Sequence, residues 1–225
     1  MWSGSARSGG EELVSGGIGP DEAIPDIVIR RLPIYVRTLR TLREREIASI
    51  SSDELADHIG VTAAQIRRDL SYFGRFGKQG KGYDVGFLTD TIGKILQLDQ
   101  QWDVALAGFG NLGRAIAHYR GFIPSSFKVV AIFDRNEDHV GQQVDGLIIQ
   151  RPDRITDEVA RLGIKLGIIA VPAAAAQLIA DQMVAGGVQA LLNYAPVVLK
   201  LPPHVTIREI DPVSAMQSMT YYLEE

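Results

Sequence analysis

Cysteine is absent from the 225 residues. That excludes a disulfide frame and thiolate chemistry, and it fits a reducing cytoplasm. No apolar run approaches the roughly 18 residues needed to span a bilayer, so no membrane partner is expected. The N-terminus lacks the charged-then-apolar pattern of a signal peptide. Net positive charge is also missing: the formal charge is −4, which argues against indiscriminate nucleic-acid binding. No metal site is expected. What is present is ordinary for a soluble globular chain, with 46% hydrophobic and 22% charged residues. The length suits one large domain or two modest ones.

The overall charge hides a local excess of the opposite sign. Residues 62–82 hold five basic residues (Arg67, Arg68, Arg75, Lys78 and Lys81) against one acid, Asp69. A basic patch of this kind is the footprint of a DNA-binding domain.

Residues 1–20 are rich in Gly and Ser and poor in apolar side chains, so a disordered tail is expected. Residues 25–46 carry Ile27, Leu32, Ile34, Tyr35, Leu39 and Leu42 with arginines between them. Pro33 should break or restart the helix, giving a short helix and then a longer one over 33–45. The arginines fit a solvated face or phosphate contact equally well.

Residues 51–73 contain two successive capping boxes, Ser51 with Glu54 and Thr62 with Gln65, separated by Gly60. Leu55, Ile59, Val61, Ile66, Leu70 and Phe73 supply a shared apolar face. The pattern predicts a helix-turn-helix, with an ordinary helical hairpin as the alternative. In the second helix Thr62, Ala63, Gln65, Arg67, Arg68 and Ser71 are left for solvent or DNA. Small residues at its start admit it to the major groove. Gln reads adenine, Arg reads guanine, and hydroxyls and arginines hold phosphates. Residues 74–85 follow with glycines, basic residues, and a Tyr and Val of strand type. They predict a β-hairpin wing with Lys78 and Lys81 at its tip, against the rival of a glycine loop cradling a nucleotide. Tyr72 sits at the junction. Residues 87–97 read as an amphipathic link to the next domain.

Residues 103–134 organise the rest. An apolar run at 104–107 leads into Gly108-Phe109-Gly110-Asn111-Leu112-Gly113, then helical spacing through Ile116 and Tyr119. A second apolar run, 129–133, ends in Asp134. Strand, G-x-G-x-x-G turn, helix, strand and terminal acid make a dinucleotide-binding unit. The glycines serve a tight turn, close approach to a pyrophosphate, and helix–strand packing. Asp134 suits the ribose hydroxyls and favours NAD(H) over NADP(H), although Arg135 lies beside it. Further strands at 147–149, 166–171, 188–192 and 205–210 alternate with helices at 152–162 and 173–185, which predicts a doubly wound parallel sheet. Val171, Pro172, Asn193, Tyr194, Ala195 and Pro196 fall at strand ends and should line the crevice. Asp211 and Pro212 start a last helix running to about Leu223, whose stripe of Val213, Met216, Met219, Tyr222 and Leu223 suits its own sheet or a partner subunit.

The expected fold is therefore α/β. It has a winged helix-turn-helix domain at 21–90, a Rossmann-like sheet at 91–210 and a C-terminal helix at 211–225.

Taken together, R-R-L-P-I-Y-V-R-T-L from Arg30, S-S-D-E-L from Ser51, V-T-A-A-Q-I-R-R-D-L-S-Y-F-G from Val61, G-K-G-Y-D-V from Gly80, G-F-G-N-L-G from Gly108 and N-Y-A-P-V-V-L from Asn193 resemble the Rex redox-sensing transcriptional repressors. The match runs from about Pro25 to the C-terminus. The resemblance implies a homodimer whose C-terminal helix is domain-swapped. It implies binding to palindromic operator DNA, with NADH but not NAD+ weakening that binding. It places Tyr119 near the nicotinamide and makes Arg37 and Asp211 a pair that holds the DNA-binding arrangement. Two positions depart from the family pattern: Asn111 stands where a basic residue is frequent, and Pro212 where an aromatic is frequent.

Two rivals use the same sheet. An NAD-dependent dehydrogenase needs a positioned acid or base at the nicotinamide. His58, His118, His139 and His204 are all poorly placed for that, and no substrate domain is left over. A regulator sensing CoA or another nucleotide is the second rival, which fold alone does not separate.

Overall fold

The computed structural model describes residues 24–74, 76–78, 82–119 and 126–223. The tail expected at 1–20, and Arg75 and Lys81, lie outside these. The chain forms two compact units that meet in sequence between Asp99 and Gln100.

In the first unit, helix α1 (Asp26–Glu44) buries Val28, Leu32, Tyr35, Val36, Leu39 and Leu42 along one stripe. It is one helix, not the two that Pro33 suggested. An interior proline costs about 3 kcal/mol, but each fully buried aliphatic or aromatic side chain returns about 1.5–3 kcal/mol. Leu32, Tyr35 and Val36 flank the exposed Pro33 and are all within 3% of complete burial. Burial therefore outweighs the proline.

Strand β1 (Ser49–Ile50) leads to α2 (Ser52–Ile59), α3 (Ala63–Ser71), β2 (Gly77–Lys78), β3 (Gly82–Asp84) and α4 (Val85–Ile95). The Ser51–Glu54 capping box is complete, with Ser51 Oγ accepting from Glu54 N–H and Glu54 Oε2 accepting from Ser51 N–H. The second box is half formed. Thr62 Oγ1 accepts from Gln65 N–H, while the Gln65 side chain turns away to Asp69. Strands β2 and β3 pair antiparallel as the expected wing, and β1 adds a third strand in the order β1-β3-β2. Helix α4 is not a link. Asp84 caps it, and Val85, Leu88 and Ile92 join the α1–α3 core.

In the second unit, β4 (Trp102–Ala107), β5 (Phe127–Phe133), β6 (Gln143–Val144), β7 (Leu147–Gln150), β8 (Leu166–Ile169), β9 (Ala190–Asn193) and β10 (Thr206–Glu209) form one sheet in the order β10-β9-β8-β4-β5-β7-β6. All pairs are parallel except β6 with β7. The β6–β7 hairpin was not foreseen. Helices α5 (Asn111–Ala117), α6 (Ile155–Leu162) and α7 (Ala173–Ala185) cover the faces; the helix expected from Pro152 begins as a 3-10 turn, Pro152–Arg154. Side chains of β4 alternate as period two requires. Val104 and Leu106 pack with Ile116 of α5, while Ala105 and Ala107 pack with Val159 and Ile179 of α6 and α7. The order reverses at β4, with β5 on one side and β8 on the other, so the ligand crevice of such a sheet falls at the carboxyl ends of β4 and β8.

Helix α8 (Pro212–Thr220) ends the described chain. None of its residues is buried, and Val213, Met216, Met219, Tyr222 and Leu223 are each more than half exposed. No described helix is long and apolar enough to cross a membrane.

Candidate nucleotide crevice and nucleic-acid interface

Three glycines after β4 occupy three different environments. Gly108 has φ +96°, and a Cβ there would stand 2.2 Å from the Ala170 carbonyl oxygen. A Cβ at Gly113 would stand 1.9 Å from the Gly108 carbonyl oxygen. At Gly110 a Cβ would meet nothing within 4 Å. The first and third glycines are thus required by the protein's own backbone. The second faces open space. The first backbone bond into α5 runs from Arg114 N–H to the Gly110 carbonyl, so the amides before it have no helical acceptor. Asn111 and Leu112, at this end, are exposed.

The crevice holds about 410 Å³ and is lined by Gly108, Gly110, Asp134, Arg135, Val171 and Pro172, with Leu178 and Ile179 of α7 on its far wall. The Asp134 carboxylate accepts from Phe109 N–H through Oδ2 and from Asn136 N–H through Oδ1 at 2.7 Å. The acid at the end of β5 therefore braces the glycine turn as well as facing the crevice. Phe109 itself is buried beneath the turn, with Ile132 and Ile149.

His139, which follows Asp134 on the adenosine side of the sequence pattern, also lines this crevice. Arg114 donates toward its Nε2 at 2.9 Å, which leaves the proton on Nδ1, 3.4 Å from Asp134 Oδ1. A histidine five residues past the strand-terminal acid is the signal for it.

The remaining residues expected here lie elsewhere. Asn193 is 1% exposed, and its amide is consumed in holding its own loop. Nδ2 donates to the Ala195 and Val197 carbonyls, and Oδ1 accepts from Ala195 N–H. Asn193, Ala195 and Pro196 border a separate cleft of about 230 Å³ with Glu209 and Asp211. Tyr194 packs with the Val104–Ile116 cluster. Tyr119 is 61% exposed and faces a cavity of about 640 Å³ beside Phe127 and Lys128, at the opposite end of β5 from Asp134. That cavity is the larger, but the glycine turn and the acid belong to the smaller one. Asp211 caps α8, accepting from Val213 and Ser214 N–H. Arg37 is exposed on α1 of the first unit. Among the described residues no cluster suited to a metal ion occurs.

On α3, Thr62, Arg67, Arg68 and Ser71 are exposed, and Ala63, Gln65 and Tyr72 are half-buried. Arg67 is braced on the start of α2 through Ser52 Oγ at 2.6 Å. Ser71 Oγ donates to the Arg68 carbonyl. Lys78 falls on β2.

The unexpected feature is beneath the helix. Asp69 is fully buried, and its carboxylate accepts four hydrogen bonds. Arg31 donates twice, at 2.6 and 2.8 Å; Tyr35 Oη donates at 2.6 Å and Gln65 Nε2 at 2.7 Å. Burial alone pushes this carboxyl up, but the bonds from Arg31, Tyr35 and Gln65 outweigh it and hold it below the usual carboxylate range. Burial and the bond to Asp69 push the Tyr35 phenol up in turn. The sequence signal was a lone acid in a basic helix, four residues after a glutamine.

Comparison with known proteins covers both units. Residues 23–71 match the family model "Putative DNA-binding protein N-terminus", and residues 99–197 match "CoA binding domain". A redox-sensing transcriptional repressor Rex of Chloroflexus aggregans is 54% identical over 199 residues, 88% of this chain and 94% of that protein. The Rex of Streptomyces coelicolor is 41% identical over 88% of this chain and 77% of its own length. Among solved structures, that of RSP in complex with beta-NAD+ and operator DNA superposes with a TM-score of 0.85 at 38% identity, covering 90% of this chain and 93% of that one. RSP with beta-NADH gives 0.80 at 36% identity, with coverage of 90% and 95%. This chain belongs to the Rex family of redox-sensing transcriptional repressors.

Proposed function

We propose that this chain is a cytoplasmic, homodimeric repressor that holds palindromic operator DNA through its first unit and is released from it by NADH. The observation that carries the reading is a relative of the whole chain, superposing over 90% of it, that is described with beta-NAD+ and operator DNA together.

The crevice chemistry suits a dinucleotide. The open face of Gly110 and the free amides at the start of α5 suit a pyrophosphate. Asp134 suits ribose hydroxyls and repels a 2′-phosphate, with Arg135 and His139 at the same rim. NAD+ and NADH differ by a hydride and by the ring's positive charge when bound, so discrimination belongs to groups near the nicotinamide. By family resemblance these include Tyr119, and Asn193, Tyr194, Ala195 and Pro196 at the strand ends are further cofactor contacts. The apolar stripe of α8, each residue more than half exposed, supports its insertion into a partner subunit, with Arg37 and Asp211 as the pair that holds the DNA-binding state. A ligand shifts two states only by its differential affinity for them. NADH thus favours a closed arrangement in which the two α3 helices no longer match half-sites about one turn apart. Thr62, Ala63, Gln65, Arg67, Arg68, Ser71 and Tyr72, with Lys78 and Lys81 of the wing, form the DNA face. No catalytic residue, metal or membrane enters this account.

The test is binding to an operator selected from a random pool, at one fixed salt concentration because phosphate contacts make affinity steeply salt-dependent. It is run without ligand, with NAD+, with NADH and with CoA. Release by NADH alone is the expected result. DNA binding that ignores both nicotinamide nucleotides and responds to CoA would overturn the sensing half.

A further inference from the structure

We propose that Asp69 is a positioning residue that fixes which end of the Gln65 amide α3 offers to DNA, so that Gln65 reads the exocyclic amino group of adenine or cytosine at one position of each half-site. This rests on the reading of α3 as the DNA-recognition helix.

The argument begins with hydrogen-bond capacity. A carboxylate only accepts, and its two oxygens offer about four lone-pair sites. In Asp69 all four are used: Oδ2 takes Arg31 Nε and Tyr35 Oη, and Oδ1 takes Arg31 Nη2 and Gln65 Nε2. The amide atom facing Asp69 must therefore be the donor, Nε2. An inverted amide would set Oε1 against a carboxylate oxygen at 2.7 Å, two acceptors in contact. Oε1 is left pointing away from Asp69, and it makes no hydrogen bond among the described residues.

The anchoring is rigid. Arg31 and Tyr35 both belong to α1, 38 and 34 residues before Asp69, so the carboxylate is held from a neighbouring helix. Gln65 lies in the first turn of α3, where Thr62 also binds its backbone N–H. First-turn residues of a recognition helix are those that reach base edges. The orientation of the amide is thus settled before DNA arrives, and no side-chain entropy is spent on choosing it.

The consequence is a choice of base. In the major groove adenine offers its N6 amino group and cytosine its N4 amino group as donors, whereas guanine O6 and N7 and thymine O4 are acceptors. A fixed outward carbonyl matches the first pair and opposes the second. The second amide hydrogen is still available to adenine N7, which ranks adenine above cytosine.

The experiment uses the full chain and the operator selected for the unaltered protein. Each position of one half-site is replaced by the other three base pairs, and binding is measured at fixed salt. The unaltered protein should prefer adenine or cytosine at one position by roughly tenfold or more over guanine and thymine. Gln65→Ala should flatten that position to within about twofold and leave the others unchanged. Asp69→Asn keeps one acceptor oxygen and turns the other into a donor, so Gln65 is no longer held in a single orientation and the preference at that position should fall while the other positions keep theirs. Tyr35→Phe keeps the ring and removes only one contact to Asp69. It serves if Asp69→Asn does not fold, and should weaken discrimination at the Gln65 position alone. A profile that Gln65→Ala leaves intact overturns the inference. So does a loss spread evenly over all positions in Tyr35→Phe, which would mark the cluster as purely structural. Failure of the unaltered protein to select any operator would instead overturn the reading of α3 as a recognition helix.

Discussion

Asp69 in the first unit accepts four hydrogen bonds, all from side chains, and none of its surface is exposed. Asp134 in the second accepts two, both from backbone amides, at the rim of a 410 Å³ crevice. A carboxylate with all its sites used has none left to receive a ligand and acts only through the groups it holds. One with about half its sites used can hold a turn and still receive a ligand. The same residue type is a rivet in one unit and an open socket in the other. Counting the bonds already made tells the two apart.

The largest expected effect breaks the rivet. Asp69→Ala leaves the Arg31 guanidinium, 18% exposed, without its partner. Removing one member of a buried pair costs about 3–5 kcal/mol. The first unit should lose that much stability in denaturant unfolding. NADH affinity of the second unit, followed by fluorescence titration, should be unchanged. Loss of NADH binding in this variant would break the comparison.

The next effect lies within the glycine turn, where two substitutions of the same kind should diverge. A Cβ at position 113 would stand 1.9 Å from a backbone oxygen, and backbone cannot step aside cheaply. Gly113→Ala should therefore lower the melting temperature of the second unit, by about 2 kcal/mol or more of stability, as overpacked sites do. A Cβ at position 110 meets nothing. Gly110→Ala should melt like the unaltered protein yet bind NADH at least tenfold more weakly, because the methyl group would enter the space proposed for the pyrophosphate. Equal NADH affinity in Gly110→Ala would show that this space is not the phosphate site.

The sheet and the helix-turn-helix were legible because each rests on local periodicity. Val104 and Leu106 alternate with Ala105 and Ala107, and Ser51 and Thr62 mark helix starts in the sequence itself. What the sequence did not disclose depends on contacts between distant residues. Pro33 reads as a break because its cost is local, while the burial that outweighs it comes from α4 and α3. Residues 87–97 read as a link because nothing local says that Ile92 meets α1. Asp69 reads as one acid among arginines until Arg31 and Tyr35 are brought to it. In the candidate site, Gly108 to Gly113, Asp134, Arg135, Val171 and Pro172 come together because one strand–turn–helix and its neighbouring strand end position them. Asn193 ends a strand, as expected, but its buried amide serves its own loop.

The smallest effect is a difference in acid response within the first unit, between Asp69 and the exposed capping residue Glu54. Both carboxyls titrate below their ordinary range. For Glu54 the bonds to the Ser51 backbone and side chain lower it; for Asp69 the side-chain bonds do so against the cost of burial. A carboxyl whose folded value is depressed binds protons more readily when unfolded, so stability rises with pH through this window. The contribution is fully present above the unfolded aspartate value, about 3.9, and is lost as pH falls through the lower folded value. The two residues differ in what protonation does. A protonated Glu54 sits in water and only loosens a helix start, whereas a protonated Asp69 leaves the Arg31 charge with a neutral, still buried partner. Urea midpoints measured from pH 7 to pH 3 should therefore fall more gently in Asp69→Asn than in the unaltered protein, from a lower starting value. Glu54→Gln should keep nearly the unaltered slope. Parallel slopes for Asp69→Asn and the unaltered chain would mean that the buried carboxylate does not carry the acid sensitivity of the first unit.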